Sequence, residues 1–151
     1  MTLQITETSW PAHQLAITQL RREVFILEQQ VPEALEWDDA DASARHVCLW
    51  QNDQLLAYAR LLTLTSDTGK LTRMAVKQSF RGQGLGRQLL QRVIARAQAL
   101  GFKCLLLDAQ LQAIGFYQRQ GFTAFGELFW DAGIEHRSMQ LALAAPDPAC
   151  G

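Results

Sequence analysis

Leu3 and Ile5 alternate with polar neighbours and predict a short first strand. Ser9-Trp10-Pro11 then reads as a helix entry, with Ser9 as cap and the proline in the first turn. Leu20, Val24, Phe25 and Leu27 recur at near-helical spacing until the pattern stops at Glu28. Residues 29–44 show no period and read as a loop. Arg45 to Trp50 and Leu55 to Leu64 are strand-like runs joined by Gln51-Asn52-Asp53-Gln54. After a turn at Thr65 to Gly69, Leu71 to Val76 forms a fourth strand that leads into the glycine-rich Arg81-Gly82-Gln83-Gly84-Leu85-Gly86.

Beyond that turn, Leu89, Leu90, Val93, Ile94 and Ala97 fall on one helical face, with Arg87, Gln91, Arg92 and Arg96 largely on the other. The helix closes at Leu100-Gly101. Cys104 to Leu107 is apolar throughout and too short for a helix, so it reads as a strand covered on both faces, completing a right-handed βαβ unit. Gln110-Leu111-Gln112 opens a short helix, Ala113 to Gln120, ended by Gly121. Phe122 to Trp130, the turn Asp131-Ala132-Gly133, and Ile134 to Leu143 predict a closing strand pair with Met139, Leu141 and Leu143 facing inward. This order is α/β (α+β) in class. One domain is expected over residues 1–143, followed by a loose tail over 144–151 that contains Pro146 and Pro148.

Composition removes several function classes. At 151 residues, with 48% hydrophobic and 19% charged positions, the chain suits one globular domain. A formal net charge of −1 gives no reason to expect nucleic acid or an anionic membrane as partner. Met1 to Glu7 has neither a basic start nor an apolar run, so no secretory signal is expected, and no segment has the roughly 18 apolar residues of a membrane helix. Cys48, Cys104 and Cys150 are odd in number and widely spaced, which predicts reduced thiols and a cytoplasmic setting. No His or Cys pair has ligand spacing, so no metal is expected, and His13 and His46 read as uninvolved.

Chemistry concentrates at two places. In the first, glycines between Arg81 and Gly86 allow successive N–H groups to converge where a helix begins, and such a point binds phosphate. A P-loop is excluded because Arg87-Gln88 follows Gly86 where Lys and Ser or Thr would be needed. A dinucleotide fingerprint fails because Arg87 occupies the third glycine's place. The second place is the acidic segment with Glu33, Glu36, Asp38, Asp39 and Asp41 around Pro32 and Trp37. Trp37 is a costly residue to leave in water, so the segment is expected to pack and fix some of these carboxylates. As a negative mouth it would draw in protonated amines.

Arg81-x-x-Gly84-x-Gly86 matches the Q/R-x-x-G-x-G/A signature of the GCN5-related N-acetyltransferases (GNAT), which this chain resembles over nearly its whole length. Ala113 to Phe122 is similar to the family's second signature, in which an F-Y pair precedes G-F. Leu20 to Phe25 with Glu28-Gln29, Glu36-x-Asp38, Asp108-Ala109-Gln110 and Gly133-Ile134-x-His136-x-x-Met139 resemble the ElaA-like subgroup. Two departures stand out: Gln110 occupies the neighbourhood where many relatives carry Asn, and Val31-Pro32-Glu33 lacks the subgroup's aromatic or cysteine beside the proline.

The resemblance implies a single mixed, mostly antiparallel sheet with a splayed central strand pair and flanking helices. It also implies acetyl-CoA as cofactor. Backbone N–H groups of Arg81, Gly82, Gln83, Gly84, Leu85 and Gly86 would hold its pyrophosphate. Met74, Ala75 and Val76 would bond its pantetheine, with an N–H near Met74 facing the oxyanion, and Gln110 and Tyr117 would complete the cofactor contacts. Tyr117 would protonate the departing thiolate, while Glu36, Asp38, Glu127 and His136 are alternative bases. The expected acceptor is a primary amine of a small molecule, with a protein or peptide amine and a CoA-binding module without turnover as alternatives. A homodimer is compatible with these features.

Overall fold

The computed structural model describes residues 2–143 and contains one seven-stranded sheet in the order β1-β2-β3-β4-β5-β7-β6. Its strands are β1 (Leu3–Thr8), β2 (Arg45–Gln51), β3 (Gln54–Thr63), β4 (Thr68–Val76), β5 (Cys104–Gln110), β6 (Thr123–Asp131) and β7 (Ile134–Ala142). The helices are α1 (Gln14–Arg21), α2 (Glu33–Glu36), α3 (Leu85–Ala99) and α4 (Ile114–Arg119). By their internal contacts the residues fall into two units: those up to Leu62 with Thr72–Val93, and Thr63–Leu71 with those from Ile94 onward.

In the first unit, β1 and β2 pair antiparallel from Leu3↔Gln51 to Thr8↔His46, and β2 pairs antiparallel with β3. Ile17, Leu20, Val24 and Phe25 pack with Cys48, Leu55, Tyr58 and Ala75 to form its core. The predicted helix entry is a 3₁₀ turn, Trp10–Ala12, with Pro11 in place but no side-chain bond from Ser9. The predicted helix ends at Glu28 as expected, yet it is α-helical only to Arg21 and is a π-helix over Arg22–Glu28. Bonds to the fifth residue back bring residues five apart onto one face. Glu23 and Glu28 are so spaced, and they reach Lys77 and Arg81 respectively.

In the second unit, β4 pairs parallel with β5 only from Thr68↔Cys104 to Leu71↔Leu107. This short ladder is the splayed central pair, and β5-β7-β6 continue antiparallel. β5 is a strand because its apolar run buries Cys104, Leu105, Leu107 and Ala109. Gly121 ends α4 at φ +99°, and a Cβ there would lie 3.3 Å from Leu141 Cδ1. On α3 the predicted apolar face is observed: Leu89, Leu90, Val93 and Ala97 are fully buried, each leucine worth about 1.5–3 kcal/mol of burial.

Two expectations need correction. Residues 29–44 are not an unstructured loop, since they contain α2 and a 3₁₀ turn, Asp39–Ala42, both too short to show a period. Cys48 is a free, buried thiol, but Cys104 is disulfide-bonded, so the prediction of reduced thiols fails there. Cys150 and the predicted loose tail lie outside the described residues. Among those residues no helix is long and apolar enough to cross a membrane.

Candidate functional site

The glycine turn follows β4 directly. Lys77 N–H bonds Leu56 O at 2.8 Å, a 3₁₀ turn spans Gln78–Phe80, and Arg81 then enters the turn. The Arg81 side chain points back to the body: Nε donates to Val76 O at 3.0 Å and Nη2 to Glu28 Oε1 at 2.7 Å, while Nη1 pairs with Glu28 Oε2. The hydrogen bond from Arg81 lowers the Glu28 carboxyl below its ordinary value. Arg81 thus staples the turn through its guanidinium, and because its own N–H donates to Gln78 O at 3.3 Å, the expectation that this N–H holds pyrophosphate needs correction.

Gly82 and Gly84 adopt φ +81° and +79°. A Cβ at Gly82 would meet nothing within 4 Å, and one at Gly84 would meet only Arg87 Nη2 at 3.8 Å. Glycine is needed there for its dihedrals and for what approaches from outside. The bond from Gln88 N–H to Gly84 O, 3.1 Å, opens the helical ladder, so the N–H groups of Leu85, Gly86 and Arg87 stand ahead of it. Open approach, left-handed glycines and a 15-residue helix starting at Leu85 fit a pyrophosphate.

The acidic segment is built differently. Arg21, with no exposed surface, donates from Nε to Glu36 Oε2 at 2.8 Å, from Nη1 to Asp41 Oδ1 at 2.7 Å and from Nη2 to Glu36 O at 3.0 Å. Arg60, also buried, forks onto Asp38 at 2.7 and 3.1 Å and reaches Asp41 Oδ1 at 2.9 Å. Arg73 Nε donates to the same Glu36 Oε2 at 3.1 Å. Three guanidiniums therefore meet the three carboxylates of Glu36, Asp38 and Asp41. Trp37 does pack, with its ring centroid 5.0 Å from Arg21 Cζ. The fixing of carboxylates is as expected, but most of the negative mouth is neutralised: Glu36, Asp38 and Asp41 match the three arginines, Glu33 pairs with Arg22, and Asp39 stays exposed.

Burial opposes these charges, and the hydrogen bonds restore them. Desolvation works against Arg21 and Arg60, but their bonds to Asp41, Glu36 and Asp38 outweigh it and raise both guanidiniums above their ordinary value. The Arg60 bond holds Asp38 below the carboxylate range. Burial lifts Glu36 against the pull of Arg73 and Arg21. His46 completes the network: its Nε2 donates to Asp41 O at 2.8 Å, which leaves Nδ1 to accept from Tyr58 Oη. Burial lowers its pKa, so it stays neutral. Among the described residues no buried side-chain polar atom lacks a partner.

Arg73 has φ +55° inside β4, a conformation that costs a non-glycine residue about 1–2 kcal/mol. It directly precedes Met74, Ala75 and Val76, the predicted pantetheine strand.

The second unit holds the remaining candidates. Tyr117 on α4 is 9% exposed and sits edge-on to Phe116 and Phe122, and burial pushes its phenol up to about 12. Gln110, whose Oε1 accepts from Gln112 Nε2 at 2.6 Å, is the cross-strand partner of His136. His136 Nδ1 donates to Ile134 O at 2.7 Å, so in the neutral ring Nε2 carries the lone pair. Phe129 stacks on that ring at 5.8 Å, and Glu127 is exposed on β6.

Sequence reasoning missed Arg60 and Arg73. For Arg60 the signal was present, because a lone charge inside Leu55 to Leu62 must be paired when that strand is buried. For Arg73 nothing in the residue type announces a left-handed backbone.

Residues 11–143 match the family described as "Acetyltransferase (GNAT) domain". Protein ElaA of Escherichia coli (strain K12) is 34% identical over 128 residues, covering 82% of this chain and 84% of its own. A solved acyl-CoA N-acyltransferase from Pseudomonas aeruginosa has 33% identity and a TM-score of 0.85 over 93% of this chain and all of that one, 100%. A putative N-acetyltransferase from Lactobacillus plantarum gives 0.89 at 25% identity, over 95% and 100% of the two chains. With a phosphate-fitting glycine turn at the junction of β4 and α3, the chain belongs to the GCN5-related N-acetyltransferases, is ElaA-like, and is an acetyl-CoA-dependent N-acyltransferase.

Proposed function

We propose that the chain moves the acetyl group of acetyl-CoA to a primary amine of a small molecule by direct attack, with Tyr117 as general acid and His136 as general base. The observation that carries the reading is the glycine turn, where left-handed Gly82 and Gly84 open the N–H groups at the start of α3 to a pyrophosphate. Bound acetyl-CoA supplies an activated thioester. Leu85, Gly86 and Arg87 hold its phosphates by backbone, and Met74, Ala75 and Val76 lie against its pantetheine arm.

The phenol of Tyr117, held up to about 12 by burial, keeps its proton at neutral pH, the state that a donor to a thiolate requires. Of the groups that could accept the ammonium proton, Asp38 gives both oxygens and Glu36 its Oε2 to arginines, whereas His136 offers Nε2. Direct attack is supported by the inertness of Cys48, a buried thiol pushed up to about 12. With Glu36, Asp38 and Asp41 each held by arginine, these carboxylates give the chain little electrostatic reason to prefer cationic over neutral amines.

A panel of small primary amines with acetyl-CoA, read by release of free thiol, tests this. Amine-dependent thiol release is the expected result. Thiol release only with peptide amines, or CoA binding without any turnover, would overturn it.

A further inference from the structure

Among the described residues four non-glycine positions have positive φ, and three of them sit in connections: Gln30 after the π-helix, Asn52 between β2 and β3, and Ala132 between β6 and β7. Arg73 alone of these lies inside a strand. The ladder with β5 ends at Leu71, two residues before it. No turn requires this kink, and arginine disfavours it, so something must hold it.

The acidic segment ties both sides of the kink. On one side, Arg60 Nε donates to Thr72 Oγ1 at 2.9 Å while its other nitrogens fork onto Asp38. On the other, the Arg73 guanidinium bonds Glu36 Oε2 at 3.1 Å, Glu36 O at 3.0 Å and Leu35 O at 3.3 Å, and lies 3.4 Å from Asp38 Oδ2. Glu36 is in turn fixed by fully buried Arg21. These bonds run from α1 through the acidic segment to β4.

We infer that the Glu36–Asp38 segment is a brace that sets the Arg73 kink and so orients the backbone of Met74, Ala75 and Val76. Glu36 is a positioning residue that acts through Arg73. The inference rests on the acetyl-transfer reading for its kinetic consequence, and the backbone geometry at residue 73 tests it apart from that reading.

The experiment is a double-variant cycle of Glu36→Gln and Arg73→Gly, with Arg73→Lys as a second single variant. Glycine takes the left-handed region freely, so the backbone can keep its kink without the guanidinium. Glu36→Gln is expected to lower kcat about 10- to 100-fold, the cost of a misplaced reacting group, with less than about a threefold change in acetyl-CoA affinity by calorimetry, since the pyrophosphate is held elsewhere. It should also move the Cα and Cβ chemical shifts of residue 73 away from left-handed values, and Arg73→Lys should do the same. In the Arg73→Gly background, adding Glu36→Gln should change kcat by less than about twofold.

Equal losses in both backgrounds would mean that Glu36 acts directly or supports stability alone, and would overturn the inference. Unchanged residue 73 shifts in both Glu36→Gln and Arg73→Lys would overturn it as well. If the native protein showed no acetyl-CoA binding, the functional reading would fall, while the shifts would still decide the brace.

Discussion

Two polar connections of the first unit, the glycine turn and the acidic segment, use their groups in opposite ways. The turn directs Arg81 inward onto Glu28 and Val76 O and leaves backbone N–H groups ahead of the α3 ladder. The acidic segment is richer in charge, yet Glu36, Asp38 and Asp41 are consumed by Arg21, Arg60 and Arg73. A ligand can be recognised by groups that folding has left uncommitted, and charge density is a poor guide to where those are. Here the glycine turn offers open backbone groups, and the charged segment has most of its groups paired.

Variants can break this contrast, and the largest effect should come from the buried charges. Arg21→Leu removes one of the two guanidiniums on each of two buried carboxylates, and the bond to Glu36 O with them, and should cost about 3–5 kcal/mol in urea unfolding. A loss under 1 kcal/mol would return the segment to the candidates for a solvated binding wall. Chemistry should sit elsewhere: Tyr117→Phe is expected to lower kcat by about 10² with cofactor affinity and melting temperature nearly intact. An unchanged kcat would mean that water supplies the proton.

A smaller effect concerns pH. Arg60 holds Asp38 below its ordinary value near 3.8, so Asp38 contributes stability above that pH and loses it as pH falls through the depressed value. Melting temperatures between pH 2 and pH 6 should therefore show a shallower acid limb in Asp38→Asn than in the native protein. The smallest effect belongs to the exposed pair of Arg22 and Glu33, with side chains 43% and 55% accessible. Glu33→Gln should stay within about 0.5 kcal/mol by the same urea assay. A larger loss would extend the structural role of the segment to its rim.

How much was legible follows the same division. Strand and helix order could be read because apolar periodicity records which face is buried, as on α3 with Leu89, Leu90, Val93 and Ala97. The glycine turn was readable because left-handed dihedrals demand a particular residue type. The π-helix was not, since Leu20, Val24, Phe25 and Leu27 suit an α-helical face equally well. The ion cluster was half visible: Trp37 implied packing, but pairings across 15 to 37 residues leave no local mark. The kink at Arg73 is held by tertiary contacts against the preference of its own residue, so no local rule could find it. Among base candidates, the choice of His136 over Glu36 rests on hydrogen-bond partners, which residue types alone do not disclose.

Calorimetric titration of acetyl-CoA into the native protein and into Gly84→Val tests the central claim most directly. Valine at φ +79° is strained and projects a side chain into the space where phosphate would approach. The expected result is saturable binding by the native protein and a loss of about 10²-fold or more in a variant whose circular dichroism shows it folded, the value of one or two charge-assisted hydrogen bonds. A folded Gly84→Val protein that binds acetyl-CoA as tightly as the native chain would contradict the assignment of the glycine turn.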